Sequence, residues 1–434
     1  MAKPKLALIP ATQGSKLYSV LPADGVGDFT FSRNSAATRI NKDGLIETVA
    51  SVVSRLNYPL IDGVVNGCPS HLLEPQRLQL IQYSEDFSQS YWTKSGSSLV
   101  SNQLSPKGDL SAFKLVEDTS TALHYLIKTI SVTSGTSYTY SFFAKYNGRH
   151  LQLSSSTGFP SAHINYDLQN GTLLIASGGT VSGTIEELTD GYYRCTYTDT
   201  ANATSTGGLI IPLLINSTTA SKNISYTGDG TSGIYIFGAQ LEQGSYPTSY
   251  IPNYGTSAGI TRSAETANGA GDASTFNDSE GVLMAELSID ANDGNFRFLS
   301  ISDGTSTNAV WVYYRSDANQ INFRVIVGGV SSFDYIYTIN NATENTKLLL
   351  KYKENDFSAW VNGFEVLTEN SGITFSGNVL NELEFNRPDG INNFYGNVKQ
   401  LQYFDSALND SDLETITSWT SFTDLANGQT YSIK

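Results

Sequence analysis

Apolar and polar positions alternate with a period of two through much of this chain. Residues 123–130, 137–144, 163–168 and 191–197 follow this pattern, and 234–241 reads as a closing strand. Gly-containing pairs punctuate them: Ser134-Gly135, Asn147-Gly148, Asn170-Gly171 and Asp190-Gly191. Short half-buried strands with a turn every ten or so residues predict a sandwich or barrel. The same texture returns at 283–289, 309–315, 320–327, 335–339, 347–353, 358–361 and 398–404. Asp43-Gly44 and Asn362-Gly363 each predict a hairpin, the first a type I′ turn, which requires positive φ at both central residues. Asn409-Asp410-Ser411-Asp412 is the one good helix start, with a polar cap and acidic residues in the first turn, and predicts a short, peripheral helix.

These patterns divide the chain. Residues 1–84 are irregular, with little continuous core and a helix-stopping Leu73-Glu74-Pro75, and are expected to dock against a neighbour chain or the following domain as an assembly region. Residues 85–252 form one sandwich. Residues 253–278, dominated by Gly, Ser, Ala, Thr and Asn, are the linker candidate. Residues 279–434 form a second sandwich. The predicted fold class is all-β: two tandem antiparallel β-sandwich (jelly-roll) domains after an irregular, hairpin-containing N-terminal region.

Composition narrows the function. Charged residues are only 15% of the 434, against a norm of about 25%, so Ser, Thr, Asn and Gly carry the solubility. A formal charge of −15 repels phosphate backbones, which argues against nucleic acid. No apolar run approaches the ~20 residues of a membrane-spanning helix; the longest, 209–215, contains Pro212. The first residues lack a signal-peptide core. Two cysteines, Cys68 and Cys195, exclude a disulfide framework and are expected to be buried thiols.

Catalytic patterns are weak. Gly255-Thr256-Ser257-Ala258-Gly259 matches a nucleophile elbow in letters, but no strand leads into it and no helix follows. The four histidines lack metal spacing, and the pairs Glu186-Glu187 and Glu382/Glu384 read as solvated faces. No enzyme is expected. Binding fits better, because aromatic rings stack on sugar rings while amides and hydroxyls bond the sugar hydroxyls. Alternation puts Trp311, Tyr313 and Arg315 on one sheet face, opposite Val310, Val312 and Tyr314. Trp360 shares a face with Asn362. Trp92, Tyr125 and Tyr166 complete the candidate glycan-binding residues, with burial of the tryptophans in the core as the competing reading.

Three segments carry a resemblance. The first is Gly67-Cys68-Pro69-Ser70-His71-Leu72-Leu73-Glu74-Pro75-Gln76-Arg77, continued by Gln82-Tyr83-Ser84-Glu85-Asp86-Phe87 and Tyr91-Trp92-Thr93-Lys94. The second runs from Ile234 through Gln240-Leu241-Glu242-Gln243-Gly244 to Ser249-Tyr250-Ile251-Pro252. The third joins Ala359-Trp360-Val361-Asn362-Gly363 to Tyr395-Gly396-Asn397-Val398 and the strand that follows. Together they resemble tailed-bacteriophage virion fibre and decoration proteins. The second is similar to carbohydrate-binding-module-like jelly rolls, and the third to laminin-G or concanavalin-like lectin domains.

The resemblance implies a non-enzymatic structural protein at the virion surface, made in the host cytoplasm. It would contact other virion proteins through its N-terminal region, form a homo-oligomer (trimer or dimer) and display glycan- or receptor-binding sandwiches. A free carbohydrate-binding or polysaccharide-depolymerising protein is the alternative. Lectin domains often hold Ca²⁺, yet Asp290-Ala291-Asn292-Asp293-Gly294 lacks the later ligands of a calcium loop and reads as a turn, so no cofactor is expected.

Overall fold

The computed structural model describes residues 3–13, 16–177 and 181–419, so the end of the expected second sandwich, 420–434, lies outside the described residues. The fold is all-β, with antiparallel sheets throughout and one α-helix among the described residues. The alternating segments form strands nearly where the pattern puts them. Gln320–Val327 matches its expected span, and Tyr125–Val132, Ser137–Asn147, Tyr192–Thr200 and Gly233–Gln243 shift or lengthen by a few residues.

The first sandwich is built from one continuous stretch. One six-stranded sheet runs Thr93–Ser95, Tyr125–Val132, Ser205–Ile215, His150–Ser156, Ala162–Asp167, Thr172–Ser177. The other runs Ser97–Gln103, Ala112–Glu117, Gly233–Gln243, Ser137–Asn147, Tyr192–Thr200, Ile185–Glu187. Aromatic side chains fill the space between them, among them Phe87, Trp92, Tyr138, Tyr140, Phe142, Tyr166 and Tyr197. Side chains of this size let thin, hydroxyl-rich strands bury a full core.

The second sandwich is assembled from distant pieces. Its larger sheet has eleven strands, and its central path runs Thr266–Asn268, Phe29–Ser32, Lys16–Leu21, Leu6–Gln13, Gly396–Phe404, Glu280–Ile289, Thr346–Lys353, Phe357–Val361, Phe364–Glu369. Ser70–Leu73 pairs with the start of Gly396–Phe404 and with Arg55–Asn57. A five-stranded sheet, Val330–Thr338, Gln320–Val327, Ala309–Tyr314, Arg297–Ser302, Glu382–Glu384, faces it. The core between them holds Leu6, Leu8, Leu17, Phe29 and Phe31 beside Val310, Val312, Tyr314 and Phe323.

The N-terminal region packs within its own chain: Leu6–Leu8 pair with Leu401–Tyr403 of the second sandwich, and Ile46 clusters with Phe143 of the first. Residues within 253–278 are not the expected free connector: Ile260–Arg262 pairs with Arg77–Gln79, and Thr266–Asn268 with Phe29–Ser32. Small polar residues suit an edge strand as well as a linker, and composition does not distinguish the two.

Both hairpins form, with different turns. Asn362 and Gly363 have φ of 48° and 86°, the double positive φ of a two-residue I′ turn between Val361 and Phe364. Between Ile40 and Ile46 only Gly44 has positive φ (77°), and the Asn41 side chain accepts from the Asp43 and Leu45 amides. A five-residue loop with an Asn-based turn replaces the expected I′ pair. The helix, Asp410–Ser418, starts at Asn409, whose side chain accepts from the Asp412 amide. It is less peripheral than expected. Leu413 and Ile416 are fully buried against Val282, Met284, Leu349, Trp360 and Phe404, so it roofs the outer face of the eleven-stranded sheet. Cys195 is buried, but Cys68, on a turn ahead of Pro69, is exposed, contrary to expectation.

Candidate functional site

A cleft of about 700 Å³ opens where three parts of the chain meet. The N-terminal hairpin and its continuation supply Thr38, Arg39, Asn57, Tyr58 and Leu60; the first sandwich supplies Asn170, Glu186, Glu187, Tyr193 and Arg194; the second supplies Asp290, Thr343 and Asn397. Its size falls in the ~300–1,000 Å³ range of small-molecule sites, which favour such junctions.

Beneath it lies a buried ionic cluster. Arg55, fully buried, donates from Nε to Glu265 Oε1 (2.8 Å), from Nη2 to Glu74 Oε2 (2.7 Å) and from Nη1 to Thr38 O (2.8 Å). A second contact joins its Nη2 to Glu265 Oε2. Arg33 Nη1 reaches Glu265 Oε1 at 2.6 Å, and Arg262 Nη1 reaches Glu74 Oε2 at 2.7 Å. The Ser249 amide donates to Glu74 Oε1 at 2.7 Å. Three cations and two anions from residues 33–74 and 249–265 thus satisfy one another away from water, the condition under which buried charges are tolerated. In this low-charge sequence, Glu74 inside Leu72-Leu73-Glu74-Pro75 is the signal that could have announced the cluster.

The cluster sets the protonation of its neighbours. Glu74 is held down to about 2: burial opposes ionisation, but Arg262 and Arg55 outweigh it. His71 is pushed down to about 3, first by burial and then by Arg55. Asp290 moves the other way, up to about 8, through burial and the adjacent Glu74 charge, against the pull of Arg262, Arg55 and Arg297. Its Oδ2 is buried with no hydrogen-bond partner among the described residues. Burial thus favours the neutral, hydroxyl-bearing form of Asp290 on the cleft wall. The expectation of a plain turn at 290–294 holds for Asp293, which accepts from Arg297 at 2.7 Å, and misses Asp290. Among the described residues no group of three or more His, Cys, Asp or Glu is placed to hold a metal.

Glu74 and Asp290 are a carboxyl pair of unequal protonation, the arrangement that glycosidases use. Both oxygens of Glu74, however, are engaged by Arg55, Arg262 and Ser249. A carboxylate bound this way is a poor nucleophile or base. Ser257 of the Gly-x-Ser-x-Gly match is exposed on a turn that leads into strand Ile260–Arg262 rather than a helix.

The glycan-binding candidates from the sequence are scattered, and none lines the cleft. Trp311, Tyr313 and Arg315 do share the outer face of the five-stranded sheet, as alternation requires. Instead of an open ladder, Trp311 and Tyr313 are each 6% exposed. Phe298 stacks on Tyr313 with ring centroids 4.1 Å apart and meets Trp311 edge-on, Arg324 lies over the Trp311 ring, and Arg315 donates to the Gln320 side chain. Trp360 is buried under the helix, with its Nε1 donating to Ser358 Oγ; Asn362 is exposed, but its side chain caps the Lys347 amide. Trp92 is core, donating to Tyr83 O, and Tyr166 is fully buried, donating to Thr196 O. Tyr125 packs half-buried beside Leu213. The competing reading, buried tryptophans, describes Trp92, Trp311 and Trp360 alike, because large rings have more surface to remove from water than a strand face leaves open.

The sequence analysis missed the cleft residues Tyr58, Asn57 and Arg194. Arg194 donates from Nη2 to Thr248 O (2.7 Å) and Ser141 Oγ (3.0 Å) and lies over the Phe143 ring. Its Nε is buried with no partner, and no carboxylate pairs with it among the described residues.

No protein-family model matches this chain. No curated protein matches it either. Among solved structures, it is similar to the CBM40 of Ruminococcus gnavus IT-sialidase bound to α2,3-sialyllactose, with 16% identity over 34% of this chain and 87% of that one and a TM-score of 0.30. It is similar also to a SAP-like pentraxin from Limulus polyphemus, with 15% identity over 33% of this chain and 72% of that one and a TM-score of 0.27. The LG4-5 domains of mouse laminin α1 chain align with 80% of this chain and 96% of their own length, at 13% identity and a TM-score of 0.23.

Proposed function

We propose that this chain is a non-enzymatic structural protein of a tailed-phage virion, displayed as a fibre or decoration, and that it binds host-surface glycans in the cleft between its sandwiches. The observation that carries the binding role is the cleft itself: about 700 Å³, with Tyr58, Asn57, Asn170 and Thr343 on its walls. Rings to stack on and neutral amides and hydroxyls to bond are what a sugar needs. The virion role rests on the sequence resemblance. A contact surface suited to it is the small hairpin Leu60–Ile61 and Val64–Val65, whose Ile61 and Val64 are 57% and 66% exposed. Weak single-site contacts become useful through copies, so an oligomer of this chain belongs to the reading.

A glycan array probed with the full chain and with Tyr58→Ala tests the binding role. Retained glycans that the variant loses are expected; a blank array for the full chain overturns it. The second reading, a free depolymerising protein, draws on the Glu74–Asp290 carboxyl pair. Reducing-sugar release from host polysaccharide, abolished in Asp290→Asn, would establish that reading over the first.

A further inference from the structure

Among the described residues the cleft carries unpaired groups of both signs, the carboxylates of Asp62 and Glu186 and the guanidinium of Arg194. The Arg194 Nη1 makes no hydrogen bond among the described residues, and its Nε is buried without one. Glu186 sits across the ladder from it without closing to ion-pair distance. Asp290, on the opposite sandwich, adds a carboxyl whose Oδ2 has no partner. The other guanidinium of the cleft, Arg39, is engaged by Glu47 at 2.8 Å. A half-buried cation without a counter-ion is costly unless something supplies the negative charge, and a guanidinium's planar fork matches a carboxylate.

We infer that the cleft selects saccharides carrying a single carboxylate, with that group seated on Arg194. This deepens the glycan-binding reading and rests on it. The single charge follows from the rim. Asp62 and Glu186 are exposed there, where solvent weakens their repulsion of one anionic group, but repulsion accumulates against a polyanion. The sugar ring then faces Tyr58, and ring hydroxyls meet Asn57, Asn170 and Asp290.

Calorimetric titration of the full chain decides the matter with three ligands: a trisaccharide containing one uronate, its carboxyl-reduced neutral counterpart, and a monosulfated analogue. We expect the uronate to bind at least tenfold tighter than the reduced form. Arg194→Gln should erase that difference, and Arg194→Lys should restore part of it. If Arg194→Gln does not fold, wild-type preference for the uronate that shrinks as salt rises from low to 0.5 M supports the inference, and its absence overturns it. Equal affinity for uronate and reduced forms, both lost in Tyr58→Ala, would overturn the carboxylate assignment and leave the glycan site standing. Equal or tighter binding of the sulfated analogue would likewise overturn it. No binding of any of the three, together with a blank glycan array, would remove the site as a whole.

Discussion

The two sandwiches reach closure by opposite routes. All twelve strands of the first come from one continuous stretch, residues 93–243, even where partners such as Ala112–Glu117 and Gly233–Gln243 lie at its two ends. The second takes strands from 6–32, 55–57, 70–73 and 266–268 to complete an eleven-stranded sheet around 280–404. Similar local patterning therefore produces one unit that can nucleate on itself and another that needs the whole chain. Closing distant strands carries a loop entropy that local hairpins avoid. The buried Arg33–Arg55–Arg262 and Glu74–Glu265 cluster sits where these distant pieces converge.

The largest expected effect separates the two directly. A fragment spanning 85–252 should unfold cooperatively in denaturant, whereas 279–434 alone should show no cooperative transition by circular dichroism. A well-folded 279–434 fragment would break the comparison. Next is Glu265→Gln, which leaves Arg33 and part of Arg55 without their counter-charge. A loss of about 3–5 kcal/mol is expected from the denaturant midpoint of the second sandwich, with the first little affected.

Asp290→Asn should act in the opposite sense and depend on pH. The folded group sits near 8 against an ordinary value of 3.8, so the folded state holds a proton that the unfolded chain has released. Stability from this group falls as pH rises from about 4 to about 8 and is level above that. Asn removes the slope, so the variant should gain stability over the native chain at pH 8 and little at pH 4. Glu74, held near 2, contributes stability above pH 4.5 that is lost as pH falls toward 2, which gives the acid limb of the same profile. In the first sandwich, Tyr166→Phe strands the Thr196 carbonyl and should lower its midpoint by about 1–3 kcal/mol without moving the second transition. The smallest effect is expected at Phe364, which is 74% exposed beside the Asn362-Gly363 turn: Phe364→Ser should stay within about 0.5 kcal/mol.

Much of this fold was legible in the chain because strand existence is local. The period-two segments, the Asn362-Gly363 turn and the Asn409 cap all depend on residues a few positions apart. Pairing over long separations was not legible. Nothing near Leu6 indicates that Leu6–Leu8 will lie against Leu401–Tyr403, and nothing in the Gly- and Ser-rich 253–278 segment distinguishes an edge strand from a tether. The candidate site was less legible still. Alternation put Trp311 and Tyr313 on the correct face, but Phe298 and Arg324, brought in from neighbouring strands, cover them. Arg194 looks like any strand arginine in sequence; its lack of a carboxylate partner is a property of the assembled molecule. Asp290 is likewise unusual because the assembled molecule buries it and brings in Glu74 from more than two hundred residues away.

The adjacency of Leu6–Leu8 to Leu401–Tyr403 also has a mechanical side. The Lys5 amide donates to Tyr403 O at 2.8 Å, so the entry to one strand and the exit from its antiparallel neighbour lie at the same end of the ladder. Tension applied between Lys5 and Asp405 would load these bonds in sequence, like a zip, rather than all at once in shear. Any attachment that bears load through this molecule would hold best if the load path ran through other points.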